Sequence, residues 1–340
     1  MWLHDCWYQA GWSDDLAEGA ILTRTILSQP LLLFRDSEGR PATLLDRCPH
    51  RFAPLSAGRL AGGVIECGYH GLAFGGSGAC VRNPHGPVTK SMCARNYPTI
   101  ERYDAIWVWM GDAEGADPAQ IPDLSFIDDT PEVARVSGYM PTAANYQLLA
   151  DNILDLSHTD YLHPQTLGGM MTGAKATTRE QGDRVIVEWF VPDCEPSVAY
   201  CKLAPPGTRI DKWIEVNWSP PGILVLRTAT IPAGTLRQEK DITTTVHSLT
   251  PETAISTHYF YCNVRRFLID DHDFDESFRA IVARAFGEED KPMLEAQQAR
   301  MGTDELWSLK PLLLPIDNAA VRARRRLEAL IRAEQQEAVT

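Results

Sequence analysis

Two short stretches, CPH at 48–50 and CGYH at 67–70, constrain this 340-residue chain more than any other feature. Each joins one cysteine to one histidine, and 16 residues separate His50 from Cys67. Two thiolates and two imidazoles can hold one zinc ion in a tetrahedron. They can also hold a [2Fe–2S] cluster in which two histidines replace two cysteines on one iron. Zinc fingers usually pair like with like on each turn. Here each loop supplies one sulfur and one nitrogen, which suits a rhomb whose two irons take different ligand pairs. Pro49 stiffens the first loop, and Gly68 and Gly71 let backbone N–H groups approach the sulfides. Cys48, His50, Cys67 and His70 are therefore the expected cluster ligands.

The surroundings agree with a small β domain. Runs such as PLLLFR, ATLLD, GVIEC and AIWVWMG are strand-sized and are broken at DSEGR, LAGG and GGSGA. A polar crossing, GDAEGADPAQIPD at 111–123, marks the expected boundary, giving domains over 1–115 and 116–340. The second part carries longer strand patterns (RVIVEWFV, WIEVNWS, GILVLRTATI, TTTVHSLTPE, STHYFYCNVRR), then helical periodicity from Asp273 onward with a kink near Pro292. The fold class expected is α+β, an all-β N-terminal domain followed by an antiparallel sheet with helices. In the tail helix, Arg324, Arg325 and Arg326 read as a solvated face. Cys194, Cys201 and Cys262 stand apart from the histidines and read as core fillers.

Composition narrows the partners. With 32 Lys plus Arg against 45 Asp plus Glu, the formal charge is −13, which argues against nucleic acid. No apolar run is long enough to span a membrane, and no secretory signal opens the chain, so a cytoplasmic protein is expected. FGGSGA at 74–79 lacks the glycine pattern, long helix and acidic partner of a dinucleotide fingerprint.

A second constellation, NILDLSHTDYLH, holds Asn152, Asp155, His158 and His163. Asp155 and His158 are spaced to share a helical face. Pro164 discourages continuation, so the helix should end near Tyr161 and let His163 swing back toward His158. Two histidines leave a non-haem ferrous site one carboxylate short. In ARAFGEEDKPMLEAQ, Asp290 falls on the apolar stripe of a helix, where burial without a partner is costly and a metal would compensate. Glu289 sits beside that stripe and is the poorer candidate; Glu288 and Glu295 read as solvated.

On these motifs, CPHRFAPLS, CGYHGLAF and Asp-x-x-His-x-x-x-x-His, the chain resembles over nearly its full length the Rieske non-haem iron oxygenases, most closely the vanillate and dicamba O-demethylase group. The resemblance implies one Rieske [2Fe–2S] cluster and one mononuclear Fe(II) per subunit, dioxygen as co-substrate, and a homotrimer. Electrons would come from a ferredoxin and/or a flavin reductase, with NAD(P)H serving only through that reductase. It implies His158, His163 and Asp290 as iron ligands. Asp155 would bridge His70 of one subunit to His158 of the next, and Asn152 would sit near the iron. The reaction implied is monooxygenation, O-demethylating a vanillate-like methoxylated aromatic acid through a hemiacetal that collapses to a phenol and formaldehyde. Other ring hydroxylation or cis-dihydroxylation, and simple electron transfer, are the rival readings. His247 matches a substrate-contacting histidine, and Arg227 would suit a carboxylate if it pointed inward. Leu226 stands where the family's dicamba enzyme has an asparagine, and RAIVARAF where it has a tryptophan, so dicamba itself is not the expected substrate.

Overall fold

The computed structural model describes residues 1–204 and 207–337. The chain divides into two compact units, Met1–Asp123 with Thr250–Ala254, and Leu124–Leu249 with Ile255–Thr340. The polar crossing stays with the first unit: Trp7 Nε1 donates to the Asp117 carbonyl at 2.9 Å, and the Tyr103 hydroxyl reaches Asp123 at 3.3 Å.

The first unit contains β1 (Trp7–Trp12), β2 (Ile21–Ile26), β3 (Gln29–Arg35), β4 (Pro41–Leu45), β5 (Arg59–Ala61), β6 (Val64–Glu66), β7 (Ala73–Phe74), β8 (Cys80–Arg82), β9 (Asn96–Tyr97), β10 (Thr99–Arg102) and β11 (Ala105–Trp109). They form three antiparallel sheets in the orders β1-β11-β10, β2-β3-β4-β9 and β5-β6-β7-β8. Leu32, Phe34 and Leu44 of the second sheet and Ile65 and Phe74 of the third close on one apolar cluster that also takes in Cys48 and Cys67. The cysteine side of both motif loops is thereby fixed by burial.

The second unit is built on one seven-stranded antiparallel sheet. Its strands are β12 (Arg135–Thr142), β13 (Ala176–Gln181), β14 (Arg184–Cys194), β15 (Ile210–Ser219), β16 (Ile223–Pro232), β17 (Ile242–Thr253) and β18 (Ser256–Val264), in the order β12-β18-β17-β16-β15-β14-β13. The helices are α1 (Tyr146–Leu154), α2 (Thr159–Leu162), α3 (His272–Arg284), α4 (Lys291–Met301) and α5 (Asn318–Glu337). Asn145 caps α1 by accepting from Gln147 N, and Asp271 caps α3 by accepting from Phe274 N. Phe274, Phe278 and Val282 form the buried face of α3.

Three expectations are corrected here. The helical pattern around Asp155 is not continuous: α1 stops at Leu154, Asp155 has extended backbone, and its carboxylate caps a 3₁₀ turn by accepting from Ser157 N at 3.0 Å. Asp155 and His158 therefore share no face of one helix. The run at 324–326 is not uniformly solvated, because Arg324 is buried and forks onto Asp151 of α1 at 2.6–3.0 Å. Of the three isolated cysteines only Cys262 fills core; Cys194 is half-buried and Cys201 exposed. Near Pro292 the predicted kink takes the form of a π-helical segment, Ala285–Asp290, between α3 and α4. Proline has no N–H for the Glu288 carbonyl, so the α ladder cannot run through this point unbroken.

Candidate metal centres

The two cysteine–histidine loops are built alike. In the first, Cys48 N donates to Ala53 O (2.8 Å) and Phe52 N to Cys48 O (2.9 Å). In the second, Cys67 N donates to Leu72 O (2.8 Å) and Gly71 N to Cys67 O (3.0 Å). The fourth residue after each cysteine is left-handed, Gly71 at φ 71° and Phe52 at φ 59°. Glycine meets that demand freely; Phe52 meets it at a steric cost, with its ring exposed and the Arg47 guanidinium 5.3 Å from its centroid. This loop pairing brings the four donors together. Cys48 and Cys67 are each 2% exposed, and burial together with the neighbouring Cys67 side chain raises the Cys48 thiol pKa. The His50 and His70 rings lie 4.6 Å apart, towards the surface. Nδ1 of His70 is buried and has no hydrogen-bond partner among the described residues, an uncommon state for an imidazole nitrogen that a metal would relieve. Two sulfurs inward and two nitrogens outward fit a [2Fe–2S] group of mixed ligation. His85, which the sequence reading passed over, joins this edge: its Nε2 lies 3.0 Å from the His70 carbonyl.

In the second unit, His158, His163 and Asp290 each offer one donor atom, all within 4.8 Å of one another. Each is held by a neighbour. His158 is the last residue of the 3₁₀ turn, and its Nδ1 donates to the Asp155 carbonyl at 2.5 Å, which turns Nε2 inward. His163 ends α2 and is 1% exposed. Its Nδ1 lies 2.7 Å from Glu289 Oε2, and its Nε2 lies 3.0 Å from Asp290 Oδ1. Asp290 is 7% exposed at the end of the π segment and also accepts from Asn152 Nδ2 at 3.0 Å. Burial pushes its carboxyl pKa upward, but the hydrogen bonds and charges of the two histidines prevail and hold it down at about 2. Burial likewise disfavours charge on His163, and the hydrogen bonds and charges of Asp290 and Glu289 outweigh it and raise its pKa. A dense cluster of donors that stabilise one another by charge is what a divalent cation would occupy.

Glu289 is the residue that sequence reasoning undervalued. Besides His163 it accepts from the Thr166 hydroxyl at 2.9 Å and pairs with Arg284 at 2.9 Å. The π segment makes this possible, because Glu289 and Asp290 are adjacent yet address opposite nitrogens of one imidazole. The half-buried Glu295 is not simply solvated: it accepts from Ala143 N at 3.0 Å and lies 3.8 Å from Lys291. Glu288 is exposed as expected.

The triad opens on a cavity of about 120 Å³ between the sheet and the helices. Ile153, Leu167, Met171, Ile214, Leu226 and Phe286 give it apolar walls. His247 lies on it, 2% exposed, with Nδ1 2.6 Å from the Tyr259 hydroxyl and Nε2 without a hydrogen-bond partner among the described residues. Burial lowers its pKa to about 3, so the ring is neutral. Arg227 does not share this space. Leu226 and Thr228 face the cavity, while the alternation of β16 turns Arg227 away to pair with Glu239 at 2.8 Å. The Arg227 expectation is thus withdrawn.

Comparison with known proteins agrees with both centres. Residues 6–97 match the Rieske [2Fe-2S] domain, and residues 142–333 match the vanillate O-demethylase oxygenase C-terminal domain. The chain is 40% identical to the oxygenase component of dicamba O-demethylase from Stenotrophomonas maltophilia, covering 98% of each. It is 39% identical to the oxygenase component of chloroacetanilide N-alkylformylase from Rhizorhabdus wittichii, covering 98% of this chain and 97% of that one. The crystal structure of dicamba monooxygenase bound to 3,6-dichlorosalicylic acid superposes with a TM-score of 0.92 at 37% identity, covering 98% of this chain and 99% of that chain.

Proposed function

The chain belongs to the Rieske non-haem iron oxygenases, in the vanillate and dicamba O-demethylase group, and on that premise we propose that it O-demethylates a methoxylated aromatic acid as the oxygenase component of a multicomponent monooxygenase. The observation that carries the reading is the His158–His163–Asp290 triad facing an apolar cavity lined by His247. When bound, the cluster and the ferrous ion supply electron transfer and dioxygen activation.

The protein's own part is holding and orienting. The Asp155 carbonyl and Glu289 fix the Nδ1–H tautomers of His158 and His163, so each presents a lone pair at Nε2. Asn152 steadies Asp290 by donating a side-chain N–H to its carboxylate. Burial keeps the Tyr259 phenol protonated, so it donates to His247 Nδ1 and leaves Nε2–H free to donate to a substrate oxygen. The apolar walls exclude bulk water and leave the aryl ring few orientations. One oxygen atom of O₂ enters a methyl C–H bond of the substrate. The other leaves as water, with two external electrons and two protons. The resulting hemiacetal breaks its C–O bond to give a phenol and formaldehyde.

The electrons come from outside the chain, from a ferredoxin or a flavin reductase. In the assembly we propose, a homotrimer, Asp155 bridges His70 of one subunit, through its carboxylate, to His158 of its neighbour, through its carbonyl; among the described residues only Oδ1 of that carboxylate is engaged in a hydrogen bond. The test is a panel of methoxybenzoates, with a generic reductase, assayed for phenol and formaldehyde. Formaldehyde in step with electron consumption supports the reading. A diol retaining both oxygen atoms would transfer the protein to the dioxygenase reading.

A further inference from the structure

Within the cavity lies a cation that the reaction above does not use. Lys212 is on β15, two residues from Ile214, and both line the cavity. It is 5% exposed. Nζ donates to the hydroxyls of Thr228 at 2.8 Å and Thr230 at 3.0 Å and stands 4.0 Å from the Tyr200 ring centroid. Among the described residues no carboxylate pairs with it. An ammonium has three N–H donors; two are spent on hydroxyls, and among the described residues no third hydrogen-bond acceptor meets Nζ.

Buried lysine without an acid is a costly arrangement, and burial lowers this one's pKa to about 7. A core position on a strand buried along nearly its whole length, as β15 is, ordinarily takes an apolar residue. The neighbouring wall does not explain it: Leu226 and Ile214 offer no polar atom, and His247 is neutral. Thr228 pairs with Thr243 across β16 and β17, and His247 lies four residues further along β17. That is roughly 14 Å of strand, so one cavity has a cationic region near Thr228 and a hydrogen-bonding histidine along the same sheet face. A ligand with an oxyanion at one end and a reactive group at the other fits that polarity.

We propose that Lys212 is the receptor for the anionic substituent of the substrate, a carboxylate or sulfonate oxygen, and that it selects acids over neutral arenes. This rests on the reading of the chain as an aromatic-acid oxygenase and adds the residue that makes the acid matter. Lys212 acts by binding and positioning. The substrate anion supplies the counter-charge that the fold omits, and the two threonine hydroxyls keep Nζ aimed.

The test uses the holoenzyme with 3-methoxybenzoate and its neutral analogue 3-methoxybenzamide, and the 4-methoxy pair. Calorimetry gives the affinities, and the same titrations at pH 8 in two buffers of different ionisation heat give the proton uptake. The wild type should prefer acid to amide, and acid binding should take up a proton. Lys212→Met should weaken acid binding on the order of 30-fold while leaving amide binding within a few-fold. Lys212→Gln, which can keep the threonine hydrogen bonds, should lose the preference equally, and it serves if the methionine variant fails to fold. Retention of the acid preference in a folded variant, or a wild type with no preference for either acid, overturns the inference. The two readings fail separately. Acid binding that depends on Lys212 but yields no formaldehyde removes the demethylation; formaldehyde from acid and amide alike, in wild type and variants, removes the role of Lys212.

Discussion

Glu289 Oε2 and His163 Nδ1 are 2.7 Å apart, and the opposite nitrogen of the same ring faces Asp290 at 3.0 Å. Two adjacent carboxylates thus do different work on one imidazole, the first orienting it and the second sharing its metal. Glu289→Gln keeps the shape but removes the charge behind His163. Mononuclear iron should dissociate on the order of tenfold more readily, while the visible spectrum of the cluster is unchanged. Iron content after dialysis against chelator reads this directly; iron retained as in wild type would mean that Glu289 is only a structural neighbour.

Asp290→Ala should lose the mononuclear iron and all turnover yet stay coloured, because the cluster ligands lie in the other unit. The iron count per chain should fall from about three to about two, the cluster keeping its own pair. Full iron content with persisting activity would move the ligand elsewhere, with Glu289 the first to try.

On the proposed bridge, Asp155→Asn should keep both metal centres and slow electron delivery, since the carboxylate offered to His70 of the neighbour becomes a neutral amide while the Asp155 carbonyl still holds His158. A complementation experiment decides whether that route crosses subunits. Cys48→Ser abolishes the cluster and His163→Ala the iron, so each variant alone is inactive. Mixed trimers assembled from the two should recover part of the activity. Verified mixed trimers with none would restrict transfer to a single chain.

His247 gives the pH dependence of stability a definite sign. Its folded pKa is lowered to about 3, against an ordinary value of 6.5. Between these values the unfolded chain binds the extra proton, so stability is fully present above pH 6.5 and falls as the pH drops towards 3, by up to about 1.4 kcal/mol per unit. Denaturant midpoints measured from pH 7 to pH 4.5 should therefore slope less steeply for His247→Gln. Equal slopes would show that the folded ring titrates as it does in the unfolded chain. For the same reason His247 should contribute no limb to the activity profile between pH 5 and 9.

Arg324 and Asp151 join α5 to α1, the helix that carries Asn152. Arg324→Ala leaves a carboxylate beneath α5 without its partner and should cost about 3 kcal/mol or more. Arg324→Lys should restore only part, because an ammonium cannot reproduce the fork. A thermal shift within error of zero would place this pair among the weak surface ones.

The chain's own order of residues determined the two metal centres and the class of fold. Donor types at short spacings (CPH, CGYH and DLSHTDYLH) are local facts. Strand alternation and the α3 and α5 periodicities are local as well, so they can be read without coordinates. Packing across the chain decided the rest. Whether Arg227 points inward depends on which face of β16 is buried, and that is set by the sheet's neighbours. Arg324 looks like a surface charge until Asp151, 173 positions away, is beside it. Glu289 looks like a flank residue until the π segment turns it towards His163. Lys212 directly precedes WIEVNWS and no local pattern marks it; only its burial against Thr228, Thr230 and Tyr200 sets it apart. Periodicity reports which residues share a face. It carries no information on what that face meets, because the energies that choose partners come from contacts between segments far apart in the chain.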